Sequence, residues 1–322
     1  MAAKAEPGQK LVLKPGVICG FMATLSETQD RESYSFSEVI CTSQELDNLG
    51  KCAEEIKDIE RCDFSNNGLP DVATLKDMQR LTRLNLANNK IKNISCFAIE
   101  EAFPNLKWLD LSNNKFNEWP AFKCPKLDYL AIAGNKLEKV NDGWAGHPNL
   151  RILSAQDNKF KSMATFKNCP KLEELYLAQN LITALNGWEG TLPSLKRLHL
   201  RRNKIVTIDE ELQELPELVY LNLRHNAIET VEQAARVFQF PKLTDLNIIN
   251  NPVDLACSSF NLLMAEFLSK RPGLVRFSKV YVQEANQMEA VHLAKFRFER
   301  SEAQRKADAQ KAADDAAKAD AD

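Results

Sequence analysis

The stretch Leu198–Ile205 reads LHLRRNKI, three aliphatic residues threaded through a histidine, two arginines, an asparagine and a lysine. Side chains alternate along a strand, so Leu198 and Leu200 project to one face while Arg197, His199 and Arg201 project to the other. The spacing Leu-x-x-Leu-x-Leu-x-x-Asn-x-Leu, with apolar replacements, recurs around Asn67, Asn89, Asn114, Asn135, Asn158, Asn180, Asn203, Asn226 and Asn251. The intervals are 22, 25, 21, 23, 22, 23, 23 and 25 residues. Nine copies at this period, over residues 59–256, predict a solenoid in which each unit buries its apolar side only by stacking on its neighbours.

Each conserved-type position within the copies has a physical task. The residues three and five before the asparagine form the inward column, and those two, four and six before it face solvent. A buried asparagine amide offers two donors and an acceptor, so a stacked column of them satisfies backbone groups that would otherwise cost about 1–3 kcal/mol each. Five residues past the anchors stand Val72, Ile94, Trp119, Val140, Met163, Leu185, Ile208 and Val231, a second apolar row expected to line the convex side. Ten before the anchors stand Pro104, Pro125, Pro148, Pro170, Pro193, Pro216 and Pro241. Proline fixes its own φ and holds the preceding residue out of the helical region, which predicts that each one stops a short convex helical turn.

Composition agrees with an elongated folded chain. Forty-two Lys plus Arg against 44 Asp plus Glu leave a net charge of −2 in 322 residues, which argues against a generally basic nucleic-acid binder. The apolar run VICGFMATL (Val17–Leu25) is too short to cross a bilayer, and the expectation is a cytoplasmic protein with no membrane contact. Eight cysteines occur without a C-x-x-C pair; free cysteine behaves as a small buried hydrophobe, so these read as core thiols in a reducing compartment. No phosphate-cradling G-x-x-x-x-G-K-[ST], no H-E-x-x-H and no G-x-S-x-G is present. His199 and His225 stand on neighbouring strands with no carboxylate or cysteine to complete a metal shell. No catalytic residue, metal site or cofactor is expected.

The solvent-facing strand positions carry the functional expectation. In order they form an aromatic and aliphatic band, Trp108, Tyr129, Ile152 and Tyr176, followed by a basic cluster of Arg197, Arg201, Arg202 and Arg224 with His199, His225 and Tyr220. Contiguous apolar patches mark contact sites, and aromatics with arginine are enriched at interface hot spots. The band is therefore expected to bind a protein, and the cluster to receive an acidic protein surface.

Both ends extend past the repeats. Residues 1–45, with Pro7, Gly8, Pro15, Gly16 and Gly20 among apolar pieces, suit an extended N-terminal arm, leaving 46–256 as the solenoid. Residues 257–282, including FNLLMAEFLSKRPGLVRF (Phe260–Phe277), read as a C-terminal cap of the kind solenoids need. From Gln283 to Asp322 there is neither Gly nor Pro, which predicts a helical tail whose Phe296 and Phe298 dock on another protein.

The repeat form L-x-x-L-x-L-x-x-N-x-I-x-x-I, with Pro-x-Leu opening the next unit, resembles the short cytoplasmic leucine-rich repeat class typified by the leucine-rich regulatory subunit of protein phosphatase 1. Within that class, Leu172–Ile205, LVYLNLRHNAI (Leu218–Ile228), the cap entry PKLTDLNIINNP and the charged tail resemble the leucine-rich radial spoke proteins of motile cilia and flagella. The resemblance implies an α/β solenoid with a parallel concave sheet. It further implies a non-catalytic structural component of the axoneme, at the head of a radial spoke and in contact with other spoke proteins. A phosphatase regulatory subunit is the alternative on the same frame, and an RNA-bound subunit of a splicing particle is a third reading that the near-neutral charge disfavours.

Overall fold

The computed structural model describes residues 11–12, 19–27, 34–50, 58–140, 144, 146–163, 166, 168–186, 192–212 and 214–319. In chain order the strands are β1 (Leu11–Val12), β2 (Met22–Glu27), β3 (Tyr34–Ile40), β4 (Leu46–Asn48), β5 (Arg61–Asp63), β6 (Arg83–Asn85), β7 (Trp108–Asp110), β8 (Tyr129–Ala131) and β9 (Ile152–Ser154). There follow β10 (Glu174–Tyr176), β11 (Ala184–Leu185), β12 (Arg197–His199), β13 (Thr207–Ile208), β14 (Tyr220–Asn222), β15 (Asp245–Asn247), β16 (Arg276–Phe277) and β17 (Val280–Tyr281). Thirteen of them form one sheet in the order β17-β16-β15-β14-β12-β10-β9-β8-β7-β6-β5-β3-β2. Pairing is parallel except at the two ends, β2 with β3 and β16 with β17. Nine anchored rungs are present, giving the parallel-sheet leucine-rich solenoid expected from the periodicity.

The register explains why the leucines recur. Leu175 pairs with Leu198, Leu198 with Leu221 and Leu221 with Leu246, so each rung sets its inward side chain against the same type on the next. Both inward columns are fully buried, Leu198 and Leu200 at 1% and 0% exposure. The second apolar row, from Val72 to Val231, is buried on the convex side.

The convex side corrects the helical expectation. Helix occurs there at Ala73–Asp77 and Ser95–Ala98 as 3-10 turns, and at α1 (Val231–Ala235) continuing into the 3-10 turn Arg236–Gln239. Between those ends, among the described residues, the convex side is irregular save for the short β11–β13 pair. Its volume is filled by rings: Trp119 meets Phe122, Trp144, Phe160 and Phe166 edge-on at centroid distances of 5.8, 5.2, 6.2 and 6.1 Å. Pro125 therefore stops no helix. It is the second residue of a β-turn closed by Leu127 N donating to Cys124 O at 3.0 Å, where proline's fixed φ is favoured. Turns of the same kind hold Pro104, Pro170, Pro193, Pro216 and Pro241 through bonds at 3.1–3.4 Å. At Pro148 the preceding His147 side chain takes over, its Nδ1 accepting from Asn149 N at 3.4 Å while Nε2 meets Cys124 O at 2.9 Å.

The asparagines form a ladder. Asn180 Nδ2 donates to Leu177 O of its own rung and to Ala155 O of the preceding one, both at 3.0 Å, while Oδ1 accepts from Phe160 N at 3.1 Å. The pattern holds along the column with one interruption: Asn135 keeps its donor bonds to Ile132 O and Leu111 O, but its Oδ1 is buried without a partner. The residue just before each anchor turns the strand away with positive φ, from Asn66 at 57° through Arg202 at 56° to Asn250 at 63°. Left-handed backbone is costly for most side chains and mild for Asn, Asp and Gly, which accounts for Asn66, Asn88, Asn113, Gly134, Asp157 and Asn250 there.

Both ends differ from a bare solenoid. β2 and β3, expected to belong to an extended arm, form an antiparallel hairpin whose inner strand pairs in parallel with β5. Val39 and Cys41 are buried in the continuous core, so this hairpin covers the first rung. Residues 1–10, 13–18 and 28–33 of the expected arm lie outside the described residues. At the far end α2 (Phe260–Lys270) starts at Ser259, whose Oγ accepts from Leu262 N at 3.2 Å. It lays Leu263, Met264, Phe267 and Leu268 over the last repeat, with Phe267 and Phe277 ring centroids 5.1 Å apart. The tail is α3 (Glu284–Ala319), 36 residues, about 54 Å long at 1.5 Å per residue. Its first half packs on α2 through Ala290, Leu293 and an ion pair from Arg297 to Glu266.

Candidate interaction surface

Pairing places the outward residues in rows across the strands. One row runs Arg83, Trp108, Tyr129, Ile152, Glu174, Arg197, Tyr220, Asp245. Within it the Arg83 guanidinium lies 3.7 Å from the Trp108 ring centroid, and Trp108 stacks on Tyr129 at 5.1 Å and 8°. Such contacts contribute about 0.5–1.5 kcal/mol beyond area burial. Ile152 continues the row, and burial raises the Tyr129 hydroxyl pKa above its ordinary value.

Tyr176 belongs to a different row. It pairs with Ser154 on one side and His199 on the other, so the single band expected from sequence divides in two. The second group is a stack: Tyr176 on His199 at 4.5 Å, and His199 beside Tyr220 at 4.8 Å. The Arg197 guanidinium lies 5.1 Å from the Tyr220 centroid. Burial, then the bond from its hydroxyl to Glu174, pushes Tyr176 up to about 12. Burial, then the Arg197 charge, lowers His199 to about 4. His199 is thus a neutral aromatic spacer near pH 7, lying between Tyr176 and Tyr220.

With Arg197 laid over Tyr220 in the other row, the arginines beyond this stack are Arg201, Arg202 and Arg224. Some other arginines of the repeats and cap are ion-paired, Arg61 with Glu38 at 3.3 Å, Arg276 with Asp245 at 3.3 Å and Arg151 with Asp128 and Glu173 at 3.6 and 3.3 Å, whereas Arg83 and Arg197 lie over the rings of Trp108 and Tyr220. Among the described residues no carboxylate forms an ion pair with any of the three, and the Nε atoms of Arg201 and Arg224 are buried without a hydrogen-bond partner. All three charges act on His225, whose pKa is lowered by burial first and then by Arg224, Arg201 and Arg202. Arg202 occupies the left-handed turn position and is exposed. One further polar group, Asn247, stands on the same face four before Asn251, and nothing in the sequence signalled its burial: it is 2% exposed, and neither amide atom has a partner. Arg83 was also absent from the expected site, although its place one strand before Trp108 in the same column could have revealed it.

Phe296 and Phe298 stand 60% and 64% exposed on α3. Met288 and Val291 are similarly exposed, because the helix uses Ala290 and Leu293 toward the cap. Cys41, Cys96 and Cys124 are buried and raised by that burial to about 12, and Cys169 to about 11. Such thiols are unreactive near neutral pH. Among the described residues there is no group of three or more His, Cys, Asp or Glu able to hold a metal ion. Nor, among them, is any helix long and apolar enough to cross a membrane.

A leucine rich repeat family model matches residues 162–205 and 186–228, and a second matches 105–124. These segments fall on the rungs just described. The matched rungs are leucine-rich repeats. Among curated relatives, Tsukushi of Gallus gallus is 31% identical over 126 residues, 37% of this chain and 34% of that one. The chain thus spans about a third of that relative's length. Among solved structures, a leucine-rich repeat protein of Leptospira interrogans superposes with a TM-score of 0.52 at 20% identity, covering 73% of this chain and 69% of that one. The functional domain of InlJ from Listeria monocytogenes, which includes a cysteine ladder, gives 0.54 at 16% identity, over 79% and 57%. These likenesses concern the fold. Leucine-rich repeats generally act in protein–protein interaction, through the extended concave surface that the solenoid creates.

Proposed function

We propose that this leucine-rich repeat protein is a non-catalytic scaffold that holds protein partners on its concave face, and that it is a structural component of the radial spoke in motile cilia or flagella. The concave reading is carried by the Arg201, Arg202 and Arg224 trio, three outward charges without ion-pair partners among the described residues, beside a row of half-buried aromatic rings. An acidic protein surface is the complementary partner. The axonemal assignment rests on the likeness of Leu172–Ile205 and Leu218–Ile228 to the spoke proteins, and its partners are other spoke components. Phe296 and Phe298 offer a second contact, independent of the concave face.

Tagged protein expressed in a ciliated cell tests the placement: it is expected along the axoneme, and recovery of phosphatase catalytic chains without spoke proteins favours the regulatory-subunit alternative instead. Replacing Arg201, Arg202 and Arg224 with Glu is expected to preserve the fold and release one acidic partner from isolated axonemes. Unchanged assembly of that variant removes the concave trio from the reading.

A further inference from the structure

Asn247 is unlike the anchor asparagines. Asn180 makes three hydrogen bonds at 3.0–3.1 Å, whereas Asn247, at 2% exposure, makes none with either amide atom. Buried polar side chains are nearly always paired, and leaving one unpaired costs about 1–3 kcal/mol. The amide is not surrounded by core alone: Asn247 occupies an outward position on β15, in register with Asn222 on β14. Arg224 lies two residues beyond Asn222, on the same face. Arg201 holds the equivalent position one strand further, since Arg202 N donates to Arg224 O at 2.9 Å across the two rungs. Three neighbouring rungs therefore bring two guanidinium groups with buried, unpartnered Nε atoms and one unpartnered amide to a single area of the concave face.

We propose that Arg201, Arg224 and Asn247, with Arg202 at the rim, receive a phosphate monoester carried on a partner's serine or threonine side chain. The proposal rests on the concave face being a protein-docking surface and names the chemistry it reads. A carboxylate brings one negative charge; a phosphorylated side chain brings about −1.5 to −2 at neutral pH and three strong acceptor oxygens. The dianion matches three uncompensated guanidinium charges better, and arginine's planar fork suits its oxygens. A continuous nucleic-acid backbone fits less well. In the row of Arg201 and Arg224 the flanking outward positions are Ala178 and Ile249, which offer no cation to its next phosphates, so the cationic area has room for one phosphate rather than a row.

The test is a titration of the full chain at about 0.15 M salt, followed by NMR at arginine Nε–H and asparagine side-chain amide resonances. The probes are N-acetyl-phosphoserine methylamide, N-acetyl-glutamate methylamide, inorganic phosphate and a short single-stranded RNA. The phosphoserine derivative is expected to saturate at about tenfold lower concentration than the glutamate derivative, a gap of about 1.4 kcal/mol, and to move Asn247. R201Q/R224Q is expected to abolish this binding. Asn247→Leu is expected to weaken it severalfold while leaving the urea midpoint unchanged or higher, because no hydrogen bond within the chain is lost. Equal binding of the glutamate derivative overturns the phosphate proposal and leaves the acidic-partner reading standing; binding of neither overturns both. Inorganic phosphate binding as tightly as phosphoserine, RNA binding more tightly, or an Asn247→Leu variant with undiminished binding each overturns the proposal.

Discussion

Arg297 of α3 reaches Glu266 of α2 with both terminal nitrogens, Nη1 donating to Oε2 at 2.7 Å and Nη2 to Oε1. Glu266 is buried, with 6% of its surface exposed, so the ion pair is the clasp between tail and cap. Removing the arginine would leave an uncompensated carboxylate in the cap, a situation that costs several kcal/mol when fully buried. Because Arg297 is half exposed, Arg297→Ala is expected to destabilise the tail by about 1–3 kcal/mol. Hydrogen exchange should rise in Glu284–Arg297 and stay unchanged in the repeats.

The asparagine ladder predicts unequal costs for one substitution at two sites. Asn180→Ala strands Phe160 N, while Leu177 O and Ala155 O keep Asn203 and Asn158 as donors, whereas Asn135→Ala strands no backbone N–H and leaves Ile132 O and Leu111 O bonded to Asn158 and Asn114. Urea unfolding should therefore find Asn180→Ala the more destabilising by about 1 kcal/mol, the net worth of one backbone bond.

The turn before each anchor predicts opposite signs for glycine exchange. Gln179 sits at φ 57°, so Gln179→Gly should stabilise or be neutral within about 1 kcal/mol, relief of left-handed strain offsetting the greater freedom of the unfolded chain. Gly134→Ala meets both a φ of 65° and a Cβ placed 2.0 Å from Asn113 Oδ1. It should lower the thermal midpoint clearly, and Asn113→Ala in the same chain should recover part of the loss.

His199 predicts a pH dependence. With its folded pKa lowered to about 4 and an unfolded value near 6.5, the unfolded chain takes up the proton first. Stability from this residue is full above about pH 6.5, declines as pH falls toward 4, and is lost below. The imidazole should titrate near 4 by NMR in the folded protein, and His199→Phe, which retains the stack between Tyr176 and Tyr220, should flatten the decline in urea midpoint between those limits.

The solenoid was legible because burial imposes a strict spacing: a column such as Leu175, Leu198, Leu221 and Leu246 leaves the same mark at every turn. Proline was ambiguous, since its fixed φ serves equally after a helix and at the second position of a β-turn, and only the bond from Leu127 N to Cys124 O separates the two. The hairpin of β2 and β3 lacks an anchored asparagine and stands near glycine and proline, so its fold depends on the partner strand β5 rather than on local pattern. Tyr176 stands four before Asn180 while Trp108, Tyr129 and Ile152 stand six before their anchors, so its separate row was legible from that offset and was missed by taking the outward residues in chain order. Asn247 could not be recognised at all, for an asparagine on an outward position looks like any solvated one until its partners are known.

Both outermost strands of the large sheet, β2 and β17, run opposite to the eleven between them. A second molecule abutting either tip would meet a border of reversed polarity rather than a rung running in the common direction. The eleven co-directional strands span ten gaps, about 48 Å at 4.8 Å each. The parallel run consequently has a fixed extent, set by the number of rungs between the two reversed border strands.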